Sequence, residues 1–248
     1  MAAPVSWLTA MLLRFGRLAS YALVFALGLW AQASGTLSSM LQYSDDIRYL
    51  TLQHLELTAI SGGIAIVLGV GIGIVLARRS LGIFGPVLAQ IVNLGTTIPT
   101  LAILALAMTV LGLGTPPAVF GLTALTLLPV VLNTTAGLRS VPEALRDAAR
   151  GMGMTPVQIL VKVELPYALF VILAGVRTAL AINIGTVPLA FLIGGGGLGE
   201  LIFTGIDLMD PGLLLAGAIP TALLAIAVDA LGAQAQYWLV PKGINPLR

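Results

Sequence analysis

The chain has 248 residues, of which 58% are hydrophobic and 9% charged, and its mean hydropathy is +1.04; soluble domains carry about 25% charged residues, so a water-soluble globule is excluded. Twelve basic residues against ten acidic ones leave a net charge of +2, too small and too scattered a balance for nucleic-acid binding. Cysteine is absent and His54 is the single histidine, which excludes disulfides, thiolate metal sites and histidine clusters.

A helix needs about 20 mainly apolar residues to cross the hydrocarbon layer, with every backbone polar group satisfied inside it. Six segments qualify in chain order: 18–34, 55–77, 86–113, 118–138, 167–193 and 212–235. The first is the shortest. It follows Arg14 and Arg17 as a signal peptide might, but no small-residue cleavage site comes after it, so it reads as a retained helix. Residues 1–48 then form an N-terminal segment with the first span, 49–237 the main membrane domain and 238–248 a tail. With the N-terminus in the cytoplasm, ten of the twelve basic residues fall on the cytoplasmic side: Arg14, Arg17, Arg78, Arg79, Arg139, Arg146, Arg150, Lys162, Lys242 and Arg248. This fits the positive-inside rule and puts both termini in the cytoplasm. Trp30 and Trp238 fall near span ends, where such rings anchor at the headgroups. Gly69 and Gly73 in the second span have the spacing that lets helices approach closely.

The longest polar interruption separates the fourth and fifth spans and reads as two short helices. Ser140 to Glu143 has the form of a capping box with Pro142 at the first helical position, Gly153 supplies a left-handed stop, and Thr155 to Gln158 repeats the box with Pro156. Leu145, Ala148, Ala149 and Met152 share one face of the first helix, while Glu143 with Arg146 and Asp147 with Arg150 can pair on the other. Such a helix is built to dock, although an amphipathic connector lying on the membrane surface would look similar. Pro166 punctuates the entry to the fifth span.

From Asp147 through Ala148, Ala149 and Gly153 to Leu165 and Pro166, the loop resembles the EAA loop of permeases from binding-protein-dependent ABC importers, with Asp147 where glutamate is usual. The stretch AINIGTVPLAFLIGGGGLGELI is most similar to the osmoprotectant branch, which imports glycine betaine, choline, carnitine and related quaternary amines. The resemblance implies an all-α membrane protein of the type I importer permease fold. It also implies that residues 143–165 form coupling helices seated in a cleft of a cytoplasmic ATPase dimer. Glu143, Asp147, Ala148, Ala149, Gly153, Leu165 and Pro166 are then the coupling residues. The implied partners are that ATPase, a second permease subunit, an extracytoplasmic binding protein and the bilayer, with no nucleic acid. The chain itself would bind no cofactor, ATP and magnesium belonging to the partner ATPase.

Lys162 and Lys242 are the only lysines and neither precedes Ser or Thr, so no phosphate-binding P-loop exists here, and neither HExxH nor GxSxG occurs. The chain is therefore expected not to be an enzyme. Polar or helix-breaking residues at membrane depth are candidates for a solute path: Asn93, Thr96, Thr97 and Pro99 in span three, and Asn183, Gly185, Thr186 and Pro188 in span five. Interhelical hydrogen bonding is the alternative reading of these, and the stronger one for Asn133, Thr134 and Thr135 in span four. Gly194, Gly195, Gly196 and Gly197 are gate candidates by the resemblance, with simple loop flexibility as the alternative. Arg177 and Asp229 fall within spans and read as snorkelling toward a nearby interface, with pairing or lining a water-filled cavity as the alternative. His54 and Glu56 read as ordinary interface residues. Aromatic residues are too few and too peripheral for a cation cage, so selective capture is left to the binding protein. An amino-acid importer permease, an ion-gradient-driven carrier and a noncatalytic scaffold are the rival readings.

Overall fold

The computed structural model describes residues 15–16, 21–22, 25–26, 28–29, 32–78, 90, 95 and 97–245. Among them there is no β-strand. The helices are α1 (Thr36–Gln42), α2 (Ser44–Ala77), α3 (Thr100–Leu111), α4 (Thr115–Arg139), α5 (Glu143–Gly151), α6 (Pro156–Ile159), α7 (Leu165–Thr186), α8 (Gly199–Asp207) and α9 (Pro211–Leu239). A π-helical turn, Leu160–Glu164, joins α6 to α7, and a 3-10 helix, Val187–Ile193, continues α7.

Four stretches are long and apolar enough to cross a membrane: α2, α4, the continuous run Pro156–Ile193 and α9. They match the second, fourth, fifth and sixth expected spans, the second and fifth extended at their starts and the fourth and sixth at both ends. The apolar α3 is the described end of the third, and the first is described only at residues 21–22, 25–26, 28–29 and 32–34.

Helix α4 is the hub, packing against α2, α7 and α3, while α9 packs on α7, α8 and α1. Between apolar helices in lipid, close backbone approach replaces water expulsion as the source of contact. The Gly69 and Gly73 pattern does this work: a Cβ at Gly69 would stand 2.8 Å from Val130, and one at Gly73 2.5 Å from the Thr134 Cβ. Thr135 Oγ1 reaches across the same seam to donate to the Gly73 carbonyl at 3.3 Å.

Two local expectations are corrected. Ser140 does not cap the loop helix: its hydroxyl donates to the Gly137 carbonyl at 2.8 Å and its N–H to Ala136, so it belongs to the last turn of α4. Helix α5 starts two residues later than the box requires, with Pro142 as its N-cap and Glu143 in its first turn, where a carboxylate suits the helix dipole. Pro166 does not punctuate the chain either, because the wider π turn just before it lets α6 run into α7 without a break. The second box does form, with Thr155 Oγ1 accepting from the Gln158 N–H and Gln158 Oε1 from the Thr155 N–H.

Candidate functional site

The loop between α4 and α7 sits at the end of the bundle where α2 and α4 finish. Its inner side is fixed by Glu164, a carboxylate only 6% exposed. Oε2 accepts from Arg78 Nη2 at 2.8 Å, and Oε1 from Arg146 Nε at 2.8 Å. Arg146 also donates to Glu143 at 3.2 Å and to the Leu138 carbonyl at 2.7 Å. One guanidinium thus ties α5 to the end of α4 and, through Glu164, to the end of α2. The two expected i,i+3 pairs both form, since Arg150 meets Asp147 at 2.7 Å as well as Glu143 at 3.2 Å. The hydrogen bonds from Arg150 to Glu143 and then to Asp147 hold its guanidinium above the ordinary arginine pKa.

The outer side of the loop is apolar and open. Leu145 and Ala148 are exposed on α5 and Met152, its C-cap, is 68% exposed; Val157 and Val161 are exposed further along the loop. Ala149 does not share that face as expected: it is buried against the bundle, which sets the depth of α5. Asp147 is exposed on α5 as well. Gly153 ends α5 at φ 76°, with nothing within 4 Å of where a Cβ would lie. Its glycine is required by the backbone and not by space. Leu165 and Pro166 open α7.

Of the candidate path residues, Asn93 and Thr96 lie outside the described residues. Thr97 is exposed in the turn before α3, and Pro99 is the N-cap of that helix. Asn183 is fully buried and gathers three helices: its Nδ2 donates to Ser61 Oγ at 2.9 Å on α2 and to Thr126 Oγ1 at 2.6 Å on α4. Thr186 lies one turn on, its hydroxyl donating to the Ile182 and Asn183 carbonyls. In span four, Asn133 bonds the Pro129 carbonyl within its own helix, and Thr134 and Thr135 face α2 at the glycine seam.

Gly194, Gly196 and Gly197 all take positive φ, while a Cβ at Gly195 would stand 2.7 Å from that of Ala118. The glycine run is a packed turn and not a slack loop: the Gly197 N–H donates to Gln53 Oε1 at 3.0 Å, and the Gly114 N–H to the Ile193 carbonyl at 2.8 Å.

Three ionisable residues differ from expectation. Arg177 and Asp229 do not snorkel apart; they form a bidentate ion pair between α7 and α9. Gly232 makes the room, since a Cβ there would stand 3.0 Å from the Arg177 side chain. His54 is not an interface residue either: it is fully buried, with Nε2 at 3.1 Å from the Ile184 carbonyl. A helix of 34 residues that begins at Ser44, eleven positions before the expected start at 55, carries it inside the bundle.

Sequence reasoning missed Glu164, whose signal is a lone carboxylate in the apolar run VKVELP beside an excess of arginine. It also missed Ser61 and Thr126 as partners of Asn183, because nothing in the chain order pairs residues so far apart.

Residues 69–242 match the family model described as binding-protein-dependent transport system inner membrane component. The chain is 47% identical over 209 residues to the osmoprotectant import permease protein OsmY of Salmonella typhimurium, covering 84% of this chain and 87% of that one. It is 39% identical to the choline transport system permease protein OpuBB of Bacillus subtilis (82% and 93% covered) and 42% to the carnitine transport permease protein OpuCB of Listeria monocytogenes (80% and 90%). The fold is similar to that of the MetNI methionine ABC transporter in an inward-facing form, with a TM-score of 0.72 at 22% identity over 79% of this chain and 96% of that one.

Proposed function

The chain belongs to the family of binding-protein-dependent transport system inner membrane components, and from that premise we propose that it carries a small osmoprotectant, glycine betaine or a related quaternary amine, through the cytoplasmic membrane. It is a permease subunit and not an enzyme. ATP and magnesium act in a cytoplasmic ATPase dimer, a second permease completes the membrane part, and an extracytoplasmic protein delivers the cargo. Both termini and the α5–α6 loop face the cytoplasm.

One observation carries this reading: α5 presents an exposed apolar strip outward while ion pairs brace it inward against the ends of α2 and α4. A strip that merely lay on lipid would need no such bracing. A braced helix passes a push on its outer face to the spans behind it, and ATPase closure shifts the spans only because it binds one of their arrangements better than the other. Glu143, Asp147, Ala148, Ala149, Gly153, Leu165 and Pro166 make up this coupling element. Thr186, with Asn93, Thr96, Thr97 and Pro99, is assigned to the solute path and the Gly194–Gly197 turn to its outer gate, whereas Asn183, fully buried and bonded to Ser61 and Thr126, takes the interhelical-bonding role instead.

The native chain has no cysteine, so Ala148→Cys introduces a unique thiol on the strip. A short bifunctional reagent is expected to join it to the ATPase subunit in the assembled complex, in a yield that changes with bound nucleotide. No product in any nucleotide state overturns the coupling role.

A further inference from the structure

Behind α5, on the side away from the apolar strip, lies a cavity of about 410 Å³ lined by Arg78, Arg139, Glu143, Arg146, Arg150 and Glu164. Small-ligand sites span about 300–1,000 Å³, so it is large enough to hold one. Among the described residues four guanidinium groups face two carboxylates, and Asp147, just outside the lining, pairs with Arg150 at 2.7 Å, which leaves one positive charge in excess.

The pairing is uneven. Glu164 serves Arg78 and Arg146, and Glu143 serves Arg146 and Arg150. Arg139 has no carboxylate partner among the described residues; its Nη2 donates to the Leu76 carbonyl at 2.9 Å. A guanidinium carries five N–H donors in a fork that matches phosphate oxygens, so most of Arg139's donors and much of the positive field remain for a ligand. The place matters as well. Arg78 follows the last residue of α2, and Arg139 is the last residue of α4. The cavity therefore opens at headgroup level. Basic pockets between spans at that level suit anionic headgroups, and the cytoplasmic leaflet is the negatively charged one.

We propose that this cavity is a binding site for a phosphate-bearing anion, supplied by a phospholipid headgroup of the adjoining leaflet or by phosphate in solution. The anion completes the charge balance and joins the ends of α2 and α4 to α5, so its occupancy sets how firmly the coupling helix is held. The inference rests on the proposed orientation for the choice of leaflet and on the geometry alone for the anion.

The test uses the whole complex of permease, ATPase and binding protein, purified in detergent. Binding of radiolabelled inorganic phosphate and of short-chain phosphatidylglycerol is titrated for wild type, Arg139→Gln, Arg139→Lys and the control Arg48→Gln. Saturable binding of one anion per permease is expected, weakened about tenfold or more in Arg139→Gln, less in Arg139→Lys and not at all in Arg48→Gln. Binding of inorganic phosphate identifies the soluble source, and binding of phosphatidylglycerol alone identifies the lipid. Arg139→Gln binding as tightly as wild type, or no saturable binding of either probe, overturns the site. If Arg139→Gln fails to assemble, Arg78→Gln is read in its place by the same criteria. Cargo uptake by the wild-type complex in phosphatidylcholine vesicles is read in parallel, so failure of the transport reading is seen separately.

Discussion

Replacing Glu164 with glutamine removes the charge that holds the loop while keeping nearly the same side-chain volume. Hydrogen bonds to charged groups are worth about 1.5–3 kcal/mol each, and Glu164 accepts two of them at 2.8 Å. The Arg146 side chain is 15% exposed, so its bond counts almost in full, whereas Arg78 at 36% is screened by water and counts for much less. Glutamine keeps one carbonyl acceptor but turns an amide donor toward a guanidinium. Arg146 in turn keeps Glu143 and the Leu138 carbonyl. The net loss comes to about 2–3 kcal/mol. It is read by thermal unfolding of the purified complex and by a double-mutant cycle with Arg146→Gln, where a coupling of about 1–2 kcal/mol is expected. Because the bond braces α5, cargo-stimulated ATPase activity falls more than basal ATPase activity. A Glu164→Gln complex with wild-type stability and a coupling near zero refutes the bracing argument.

Gly153→Val forces a β-branched residue to φ 76°, a strain of about 1–3 kcal/mol, and should abolish cargo-stimulated ATPase activity with membrane insertion intact; Gly153→Asn, which tolerates that region, should keep most of it. Asp147→Lys sets a like charge against Arg150 and should uncouple in the same assay. Asp229→Asn or Arg177→Gln alone leaves a lone charge or its orphaned partner at membrane depth, where a central charge costs about 2.5–3.5 kcal/mol; the complex carrying both substitutions should melt higher than the Arg177-retaining single, and an equal or lower melting temperature contradicts the pairing. At the start of α9, Asp210 accepts from the Leu213 and Gly212 N–H groups and from Tyr43, and these bonds, the Leu213 one foremost, hold its carboxyl below the ordinary value of 3.8. Its contribution is therefore complete above that value and lost as pH falls through the lower, folded one. Protection factors at the Gly212 and Leu213 amides, corrected for the intrinsic pH dependence of exchange, should fall on acidification in wild type, be low at every pH in Asp210→Ala, and lose their pH dependence in Asp210→Asn, which still caps.

The membrane class, four of the spans and the two short helices of the loop between α4 and α7 were legible because they rest on local properties: runs of apolar residues, i,i+3 charge spacing, and a glycine where the chain must turn left-handed. Even there the local signal misplaced Ser140, which had two helix ends to choose between and served the longer. What the sequence could not display was pairing across the chain. Arg177 and Asp229 lie 52 residues apart and Asn183 and Ser61 122 apart, and only the fold decides that these polar groups satisfy each other rather than a neighbouring interface. Glu164 belongs to the same class: its partner Arg78 lies 86 residues away and looked like an orientation signal alone, while Arg146 was already accounted for by Glu143.

ATP-dependent uptake of radiolabelled glycine betaine into vesicles holding this chain, with and without its ATPase and binding protein, decides whether the chain is an osmoprotectant importer permease. Uptake that requires all components, is competed by choline or carnitine and is indifferent to methionine is the expected result. Gradient-driven uptake by the chain alone, or uptake competed by amino acids and not by quaternary amines, contradicts it.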